Sequence, residues 1–299
     1  MGSLWIVATV IAAAAQTARN AAQSGLTARI GTLGATQVRF LFGLPFAALF
    51  LGVASLGTGE AVPPLTLPAL GYTILGALAQ IGATALMLLT MKSRSFAVTT
   101  AWIKTEPVLV ALLAVVLIGD PLTPAKMLAI IVATAGVLIL STKAETARGM
   151  LTDWKPTATG LLAGLLFGVA AIGFRGGILA LPEGSFLIRA STILVVSLAI
   201  QTAVLVAWCL TFDRPALTAA FAVWRVSLWA GFLGAFASQF WFIGFSLTSA
   251  ANVRTLALVE VLMALAVSAW VLGQRVTGRQ IVGMGVVVAG VGLLLAVQE

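Results

Sequence analysis

Two glutamates are the residues best placed to do chemistry, because each lies in a long apolar run. In "KTEPVLVALLAVVLIGDPLT", which begins at Lys104, no charge follows Glu106 until Asp120, and Glu260 lies in the similar run "VEVLMALAVSAWVLG". An ionised carboxylate in apolar surroundings normally faces a partner group or water. Two interpretations are open. Either the carboxylates bind an ammonium group or a proton, or they are buried and hold the chain together by pairing with Lys104 or with the backbone.

Helix geometry limits the second interpretation. Residues two apart do not share a helix face, so Lys104 is not a simple partner for Glu106. The chain contains no His, so any proton relay would depend on carboxylates. The role of the two glutamates therefore depends on the elements that position them.

The composition places those elements in a membrane. Hydrophobic residues make up 61% of the chain and charged residues 9%, against roughly 45–50% and 25% in soluble domains. A spanning helix needs about 20 apolar residues, and ten such spans fit between breaker clusters such as "GTGEAVPP" and "GDPLTP". The predicted spans are 3–23, 34–57, 67–90, 96–118, 123–142, 157–179, 186–211, 224–247, 250–272 and 278–297.

The first segment lacks the basic region of a secretory signal peptide, so we expect it to remain as span 1.

Basic residues are distributed unevenly between the two predicted membrane faces. The face at the loops joining spans 1–2, 3–4, 5–6, 7–8 and 9–10 carries Arg19, Arg29, Arg39, Lys92, Arg94, Lys143, Arg148, Lys155, Arg214, Arg225, Arg275 and Arg279. The other face carries Lys126, Arg175, Arg189 and Arg254. The positive-inside rule therefore predicts a multi-pass protein of the plasma membrane (the inner membrane in a bacterium) with both termini on the non-cytoplasmic side.

Several function classes are excluded by what the sequence lacks. No basic run with interleaved aromatics indicates a nucleic-acid site. The single Cys209 excludes an intrachain disulfide, and the lack of His argues against an ordinary zinc site. No G-x-S-x-G motif or aspartate pair points to an enzyme, and no P-loop points to ATP hydrolysis. We expect neither a cofactor nor catalysis.

An internal repeat appears when the chain is shifted by 154 residues. Residues 95–123 then lie over 249–277, with Glu106 over Glu260, and "ATAGVLIL" at 133–140 lies over "VVAGVGLL" at 287–294. The predicted halves are 1–145 and 146–299, with five spans each. An odd number of spans inverts the second copy in the membrane, so the predicted fold is an all-α membrane protein of ten helices in two inverted five-helix repeats. That architecture is typical of transporters with a cavity near the midplane.

The repeated motifs resemble the drug/metabolite transporter superfamily, in its ten-helix EamA-type branch. The resemblance rests on Glu106–Pro107 and on Gly119–Asp120 with Thr123, and the second copy departs from it at Val261 and Gln274. More loosely, an Arg opens the second helix of each half, Arg39 and Arg189. The resemblance implies export of small metabolites, amino acids prominent among them, and is nearest to the aromatic amino-acid exporters. Family members are often described with cytoplasmic termini, whereas the charge distribution here predicts the reverse.

Helical spacing predicts which other side chains face the same cavity. In span 4 the stripe with Glu106 contains Ser95, Thr99 and Trp102. In span 9 the stripe with Glu260 contains Ser249, Val253 and Leu256, with Asn252 at its edge. Span 8 presents Phe232, Phe236 and Gln239 on one face, and span 3 presents Gln80, Thr84 and Met87. Amides among aromatic rings suit an amphipathic ligand with an apolar body, although a stripe of rings also suits contact with lipid or a neighbouring helix.

Glycine and proline positions predict packing and motion. The glycines at 160, 164 and 168 in span 6, and Gly283 and Gly290 in span 10, predict close helix packing, either internal or in a homodimer. Pro107 removes a backbone donor beside Glu106, so we expect span 4 to bend there as a gating hinge.

These observations predict a secondary transporter rather than an enzyme or a channel. We expect a facilitative exporter of small amphipathic metabolites, most concretely aromatic or large neutral amino acids. Its other expected partners are membrane lipids and not nucleic acid, and it is expected to be a monomer or a homodimer. The alternative is a proton-coupled multidrug or metabolite exporter in which Glu106 or Glu260 titrates. The substrate-binding residues expected are Gln80, Thr84, Thr99, Trp102, Glu106, Phe232, Phe236, Gln239, Asn252 and Glu260.

Overall fold

A computed structural model describes residues 3–90, 101–141, 152, 154–271 and 277–297. Its regular elements within those ranges are all α-helices. They are α1 (Leu4–Leu41), α2 (Leu44–Thr58), α3 (Leu67–Thr90), α4 (Glu106–Leu117), α5 (Pro124–Ser141), α6 (Trp154–Leu179), α7 (Phe186–Phe212), α8 (Arg214–Ala222), α9 (Trp224–Leu247), α10 (Ala250–Leu256), α11 (Val259–Val271) and α12 (Gly278–Ala296).

Seven stretches of the described chain are long and apolar enough to cross a membrane. They are Leu33–Thr58, Leu67–Met87, Pro124–Ser141, Trp154–Leu179, Phe186–Phe212, Trp224–Leu247 and Gly278–Ala296. The other three predicted spans correspond to the shorter apolar helix Leu4–Arg19 and to two helices that are interrupted near their glutamates. The predicted all-α membrane fold is confirmed, and the difference in span count has a local cause at each of these three positions.

The predicted break between spans 1 and 2 falls at a kink within α1, and not at a loop. Helix α1 runs from Leu4 to Leu41 and kinks at Gly31, whose φ of 74° and ψ of 176° are far from helical values. Glycine tolerates this left-handed φ because it has no Cβ. A second interruption lies at Phe42 and Gly43, inside the apolar stretch Leu33–Thr58, and α2 follows with Pro45 in its first turn. Arg39 lies between the kink and this second interruption, in the last turn of α1.

A short helix replaces part of the predicted loop between spans 7 and 8. Asp213 ends α7, and its carboxylate accepts a hydrogen bond of 3.2 Å from the backbone N–H of Ala216 in the first turn of α8. A carboxylate at this position satisfies a donor that the helix itself leaves unpaired. The residues "FDRP" at 212–215 thus mark a boundary between two helices, and only the first of these helices corresponds to a predicted span.

The chain divides into two compact units, each built from both halves of the sequence. The first unit comprises Met1–Leu78 and Gly173–Thr248, and the second comprises Ala79–Ile172 and Ser249–Glu299. In the first unit α9 packs against α1, α2 and α7. A small apolar core there includes Leu26, Val38 and Ala230.

In the second unit α5 and α12 form a close antiparallel seam. A methyl group placed on Gly136 would lie 2.8 Å from Val287 Cγ2, and one on Gly290 would lie 2.6 Å from Ala133 Cα. Only glycine permits this approach of two backbones. Shifting the first contact by 154 residues gives the second, so the seam is reciprocal, as expected for two helices related by a local two-fold axis. At this seam the predicted glycine packing is internal.

Candidate functional site

The two helices that carry the apolar glutamates are both interrupted just before them. Residues 101–103 are helical, Lys104 and Thr105 form a turn, and α4 begins at Glu106. In the second half α10 ends at Leu256, Ala257 and Leu258 form a turn, and α11 begins at Val259. The prediction of continuous helices over 96–118 and 250–272 is therefore wrong at these two points. Discontinuous helices in transporters are the places where backbone and side chains can face a ligand.

Each interruption leaves a glutamate in the first turn of the helix that follows. The positive end of the helix dipole stabilises a carboxylate at that position. Pro107 lies in the first turn of α4, where the donor it lacks would have no partner within the helix. The predicted hinge proline is thus placed at the start of a new helix and not within a continuous one.

Both glutamates are ion-paired, each with a cation from the other half of the sequence. Lys104 Nζ lies 2.7 Å from Glu260 Oε1, and Arg254 Nε donates to Glu106 Oε1 at 2.6 Å. The side chains of the first pair are 25% and 19% exposed, and those of the second 18% and 13%. We call these four side chains the charge cluster. It is electrically neutral and only partly shielded from the surroundings.

The structure shows which cation pairs with each glutamate. Lys104 does not pair with Glu106, as the helix-face argument predicts, and instead reaches Glu260. The predicted set of site residues omitted Lys104 and Arg254. A signal was available, since a basic residue in an apolar span normally has a partner and marks a functional position. The sequence did not reveal which glutamate each cation would meet, because the pairing joins residues about 150 positions apart.

The other predicted residues of the second unit lie outside this cluster. Trp102 Nε1 donates to Thr157 Oγ1 at 3.1 Å, and Thr99 lies outside the described residues. The predicted stripe through Trp102 and Glu106 is cut by the turn between them. Asn252 is 5% exposed and lines a small pocket with Ala111, Ala114, Asp120, Lys126 and Ser249, among other residues. None of the four cluster residues lines that pocket.

Gln80 and Thr84 share a helix face, as their spacing predicts. The Thr84 hydroxyl donates to the Gln80 carbonyl at 2.8 Å, a contact within α3. Thr84 is 7% exposed, whereas Gln80 is half-buried. The structure therefore leaves Gln80 as the more accessible of the two side chains.

In the first unit the predicted aromatic residues belong to a cluster of rings. The Phe232 ring centroid lies 5.3 Å from that of Phe46, 5.7 Å from that of Phe236 and 6.0 Å from that of Trp229. Phe236 also lies 6.4 Å from Phe50. Such edge and stacked geometries are those that aromatic pairs prefer. We call these five side chains the ring cluster.

Gln239 is engaged elsewhere in the first unit. Its Nε2 donates to Ser191 Oγ at 2.8 Å, and it is 7% exposed. The three residues predicted on one face of span 8 thus contact different neighbours: Phe232 and Phe236 pack on rings of α2, and Gln239 binds α7.

Two arginines of the first unit approach the same glycine. A methyl group on Gly234 would lie 3.3 Å from Arg39 Cγ and 3.7 Å from Arg19 Cδ, and Arg19 is only 7% exposed. The sequence analysis counted Arg19 as a loop charge. Because Arg19 is buried within α1, we leave it out of the positive-inside comparison. The same predicted face still carries more basic residues.

Together these features define a class of protein. The described chain is a multi-pass helical membrane protein with two related halves, and its charged residues meet at interruptions in paired helices, as in transporters. The profile of the EamA-like transporter family matches residues 1–142 and again residues 154–296. The chain belongs to the EamA-like transporter family. The two matched segments fall within the predicted halves 1–145 and 146–299.

Solved structures share the fold. One chain, described as "Crystal structure of protein", has a TM-score of 0.72 and 16% sequence identity, and the similarity covers 98% of each chain. At that identity the likeness shows the fold alone. No curated protein sequence matches the chain.

Proposed function

We infer that this transporter exports small amphipathic metabolites, most concretely aromatic or large neutral amino acids, by alternating access and without coupling to another energy source. The observation that carries the proposal is the charge cluster. It offers two carboxylates and two cations within one unit, at interruptions of two helices. An amino acid carries one ammonium and one carboxylate group, for which the cluster supplies both kinds of partner.

The partial exposure of the cluster supports a binding role. Ion pairs that serve stability alone gain little over an apolar replacement, and charges within membrane helices are costly unless they face a partner or water. Side-chain exposures between 13% and 25% leave part of each group accessible while the pairs are formed. A polar ligand can therefore exchange with the pairs.

The ring cluster supports an apolar substrate body. Phe232 and Phe236 are both half-buried, so part of each ring is available for contact. Aromatic faces offer dispersion to a large neutral side chain and attract a cation above the ring. Phe232, Phe236, Gln80 and Glu106 remain the residues we expect to alter substrate affinity.

The orientation of the protein follows from its basic residues. With Arg19 removed from the count, the loops after odd-numbered predicted spans still carry most of the Lys and Arg residues. The positive-inside rule then supports termini on the non-cytoplasmic side of the plasma membrane. Cleavage of a protease site added at either terminus, tested from the outside of intact cells, measures this directly.

The alternative, a proton-coupled exporter of drugs or metabolites, also has an observation in its favour. Glu106 and Glu260 each hold a cation, and protonation of either carboxylate would release that cation. The two candidates differ in one measurable property: only the proton-coupled exporter responds to an imposed pH gradient.

The deciding experiment is uptake of labelled tryptophan and phenylalanine into liposomes that contain the purified protein, with and without a proton gradient. Saturable uptake that ignores the gradient is the result expected of a facilitative amino-acid exporter. Uptake that follows the gradient and is lost in Glu106→Gln or Glu260→Gln would replace it with the proton-coupled alternative. No uptake of either amino acid would refute the proposed substrate class, and turnover that does not saturate would indicate a channel.

A further inference from the structure

Within the proposed function, on which this inference rests, we propose that the charge cluster selects zwitterions over ligands with a single charge. Arg254 and Lys104 bind the carboxylate of the substrate, and Glu106 and Glu260 bind its ammonium group. The two cations are thereby assigned as specificity-determining residues.

The pairing geometry is the first support. Each ion pair joins a residue of the 101–117 segment to a residue of the 250–271 segment, at 2.7 Å and 2.6 Å. Opening one pair frees a cation and an anion together. A ligand that brings one charge of each sign can then satisfy both freed groups.

Charge balance is the second support. A cationic ligand bound to Glu106 or Glu260 would leave Lys104 or Arg254 without its carboxylate. An anionic ligand bound to the cations would likewise leave a glutamate unpaired. Breaking a buried pair by removing one partner is strongly unfavourable. Among ligands that carry charge, only a zwitterion keeps the cluster neutral, and discrimination of roughly 10- to 100-fold is a modest part of that penalty.

The two cations differ in the contacts they offer. The Arg254 guanidinium has five donors in a planar fork, which matches both oxygens of a carboxylate, whereas Lys104 is a compact point charge. Arg254 and Glu106 are also the less exposed pair, at 18% and 13%. Arg254 is therefore the main ligand of the substrate carboxylate, and Lys104 is the second ligand.

The local backbone permits the exchange. Lys104 lies in the turn that precedes α4, and Arg254 lies in the last turn of α10. At such turns the hydrogen-bond pattern of the helix is already interrupted, so a side chain can move without breaking a continuous helix. Both cations of the cluster occupy such positions.

The test uses three compounds that share one ring system and differ in charge: tryptophan, tryptamine and indole-3-propionate. Each competes with labelled tryptophan for uptake by the full-length protein in liposomes. Inhibition by unlabelled tryptophan at concentrations at least about tenfold lower than the other two supports the inference. Equal inhibition by tryptamine or by indole-3-propionate would overturn it and leave the proposed function standing. Failure of the protein to take up either tryptophan or phenylalanine would overturn both.

Paired variants keep the test independent of folding. Arg254→Gln/Glu106→Gln and Lys104→Gln/Glu260→Gln each remove both charges of a pair together, which is the tolerated kind of change. We expect both to melt within a few degrees of the native protein, to raise the KM for tryptophan more than about tenfold, and to lose the preference for the zwitterion. Lys155→Gln is the matched control, since Lys155 is exposed in α6, outside the cluster, and lies beside Trp154. A native KM and native preference in both double variants would overturn the assignment.

Discussion

The second unit brings the two halves of the sequence together in two places that differ in symmetry. At the seam of α5 and α12, Gly136 meets Val287 and Gly290 meets Ala133, which are equivalent contacts under the 154-residue shift. At the interrupted helices the contacts are not equivalent: the sequence counterpart of Lys104 is Leu258, and that of Arg254 is Thr100. The seam retains the duplicated pattern, whereas the charged positions have diverged around a retained pair of glutamates.

The two places also differ in access. The seam glycines leave no room for a methyl group, while the cluster side chains are 13% to 25% exposed. Close packing tolerates few residue types, so both copies must keep small residues there. At a partly exposed polar site the total charge is constrained more than the position of each charged residue. The two copies can therefore carry charged residues at different positions. The symmetric part of the unit therefore holds the helices, and the asymmetric part is the candidate for substrate recognition.

The largest expected effect comes from breaking a cluster pair on one side only. Arg254→Met removes the ion-pair partner of Glu106, and removing one partner of a buried pair typically costs about 3–5 kcal/mol. Lys104→Met should cost less, because its pair is more exposed. Thermal unfolding in detergent measures both, and Arg254→Gln/Glu106→Gln is the control that should recover most of the loss. A native melting temperature for Arg254→Met would show that the pair contributes little.

The sequence predicted the seam better than the cluster for a physical reason. Small residues at regular spacing and the 154-residue repeat are local or periodic signals, and they indicated Gly283 and Gly290 correctly. Glu106 and Glu260 were also recognisable, because a carboxylate in an apolar run is costly. The ion partners and the helix at 214–222 depend on tertiary contacts, which hydrophobic periodicity does not encode. Asn252 and Trp102 were predicted as site residues from stripes on continuous helices. Those helices are interrupted, and both side chains lie outside the charge cluster.

The next largest effect is expected at the symmetric contact, the glycine seam of α5 and α12. Gly290→Ala and Gly136→Ala each place a methyl group within 3 Å of the opposite helix, and overpacking of this kind costs about 1–3 kcal/mol. The equivalence of the two positions predicts similar losses in melting temperature. Gly292→Ala in α12 is the control, because a methyl group there meets no described atom within 4 Å. A loss at one seam position only would contradict a reciprocal seam.

A smaller effect comes from a second asymmetry, in the ring cluster of the first unit. The counterpart of Phe232 in the first half is Leu78, and that of Phe236 is Gly82. Phe232→Leu therefore installs the residue type of the other copy. Aromatic contacts contribute about 0.5–1.5 kcal/mol each beyond their buried area, so we expect the KM for tryptophan and phenylalanine to rise a few-fold. Phe212→Leu, at an exposed ring that ends α7, should leave the KM unchanged, and equal kinetics in the two variants would place the substrate away from these rings.

The smallest effect concerns the interruptions themselves, which differ at one residue. Pro107 follows Glu106, whereas Val261 follows Glu260, yet both helices are interrupted. Proline is therefore not required to form the turn. It does prevent a backbone hydrogen bond from residue 107 to the carbonyl of Ile103, and that bond would extend α4 back across the turn. If span 4 flexes at this point during transport, Pro107→Ala should lower the maximal uptake rate a few-fold while the KM stays constant. An unchanged rate would show that any movement of the turn at Lys104 and Thr105 does not depend on the proline.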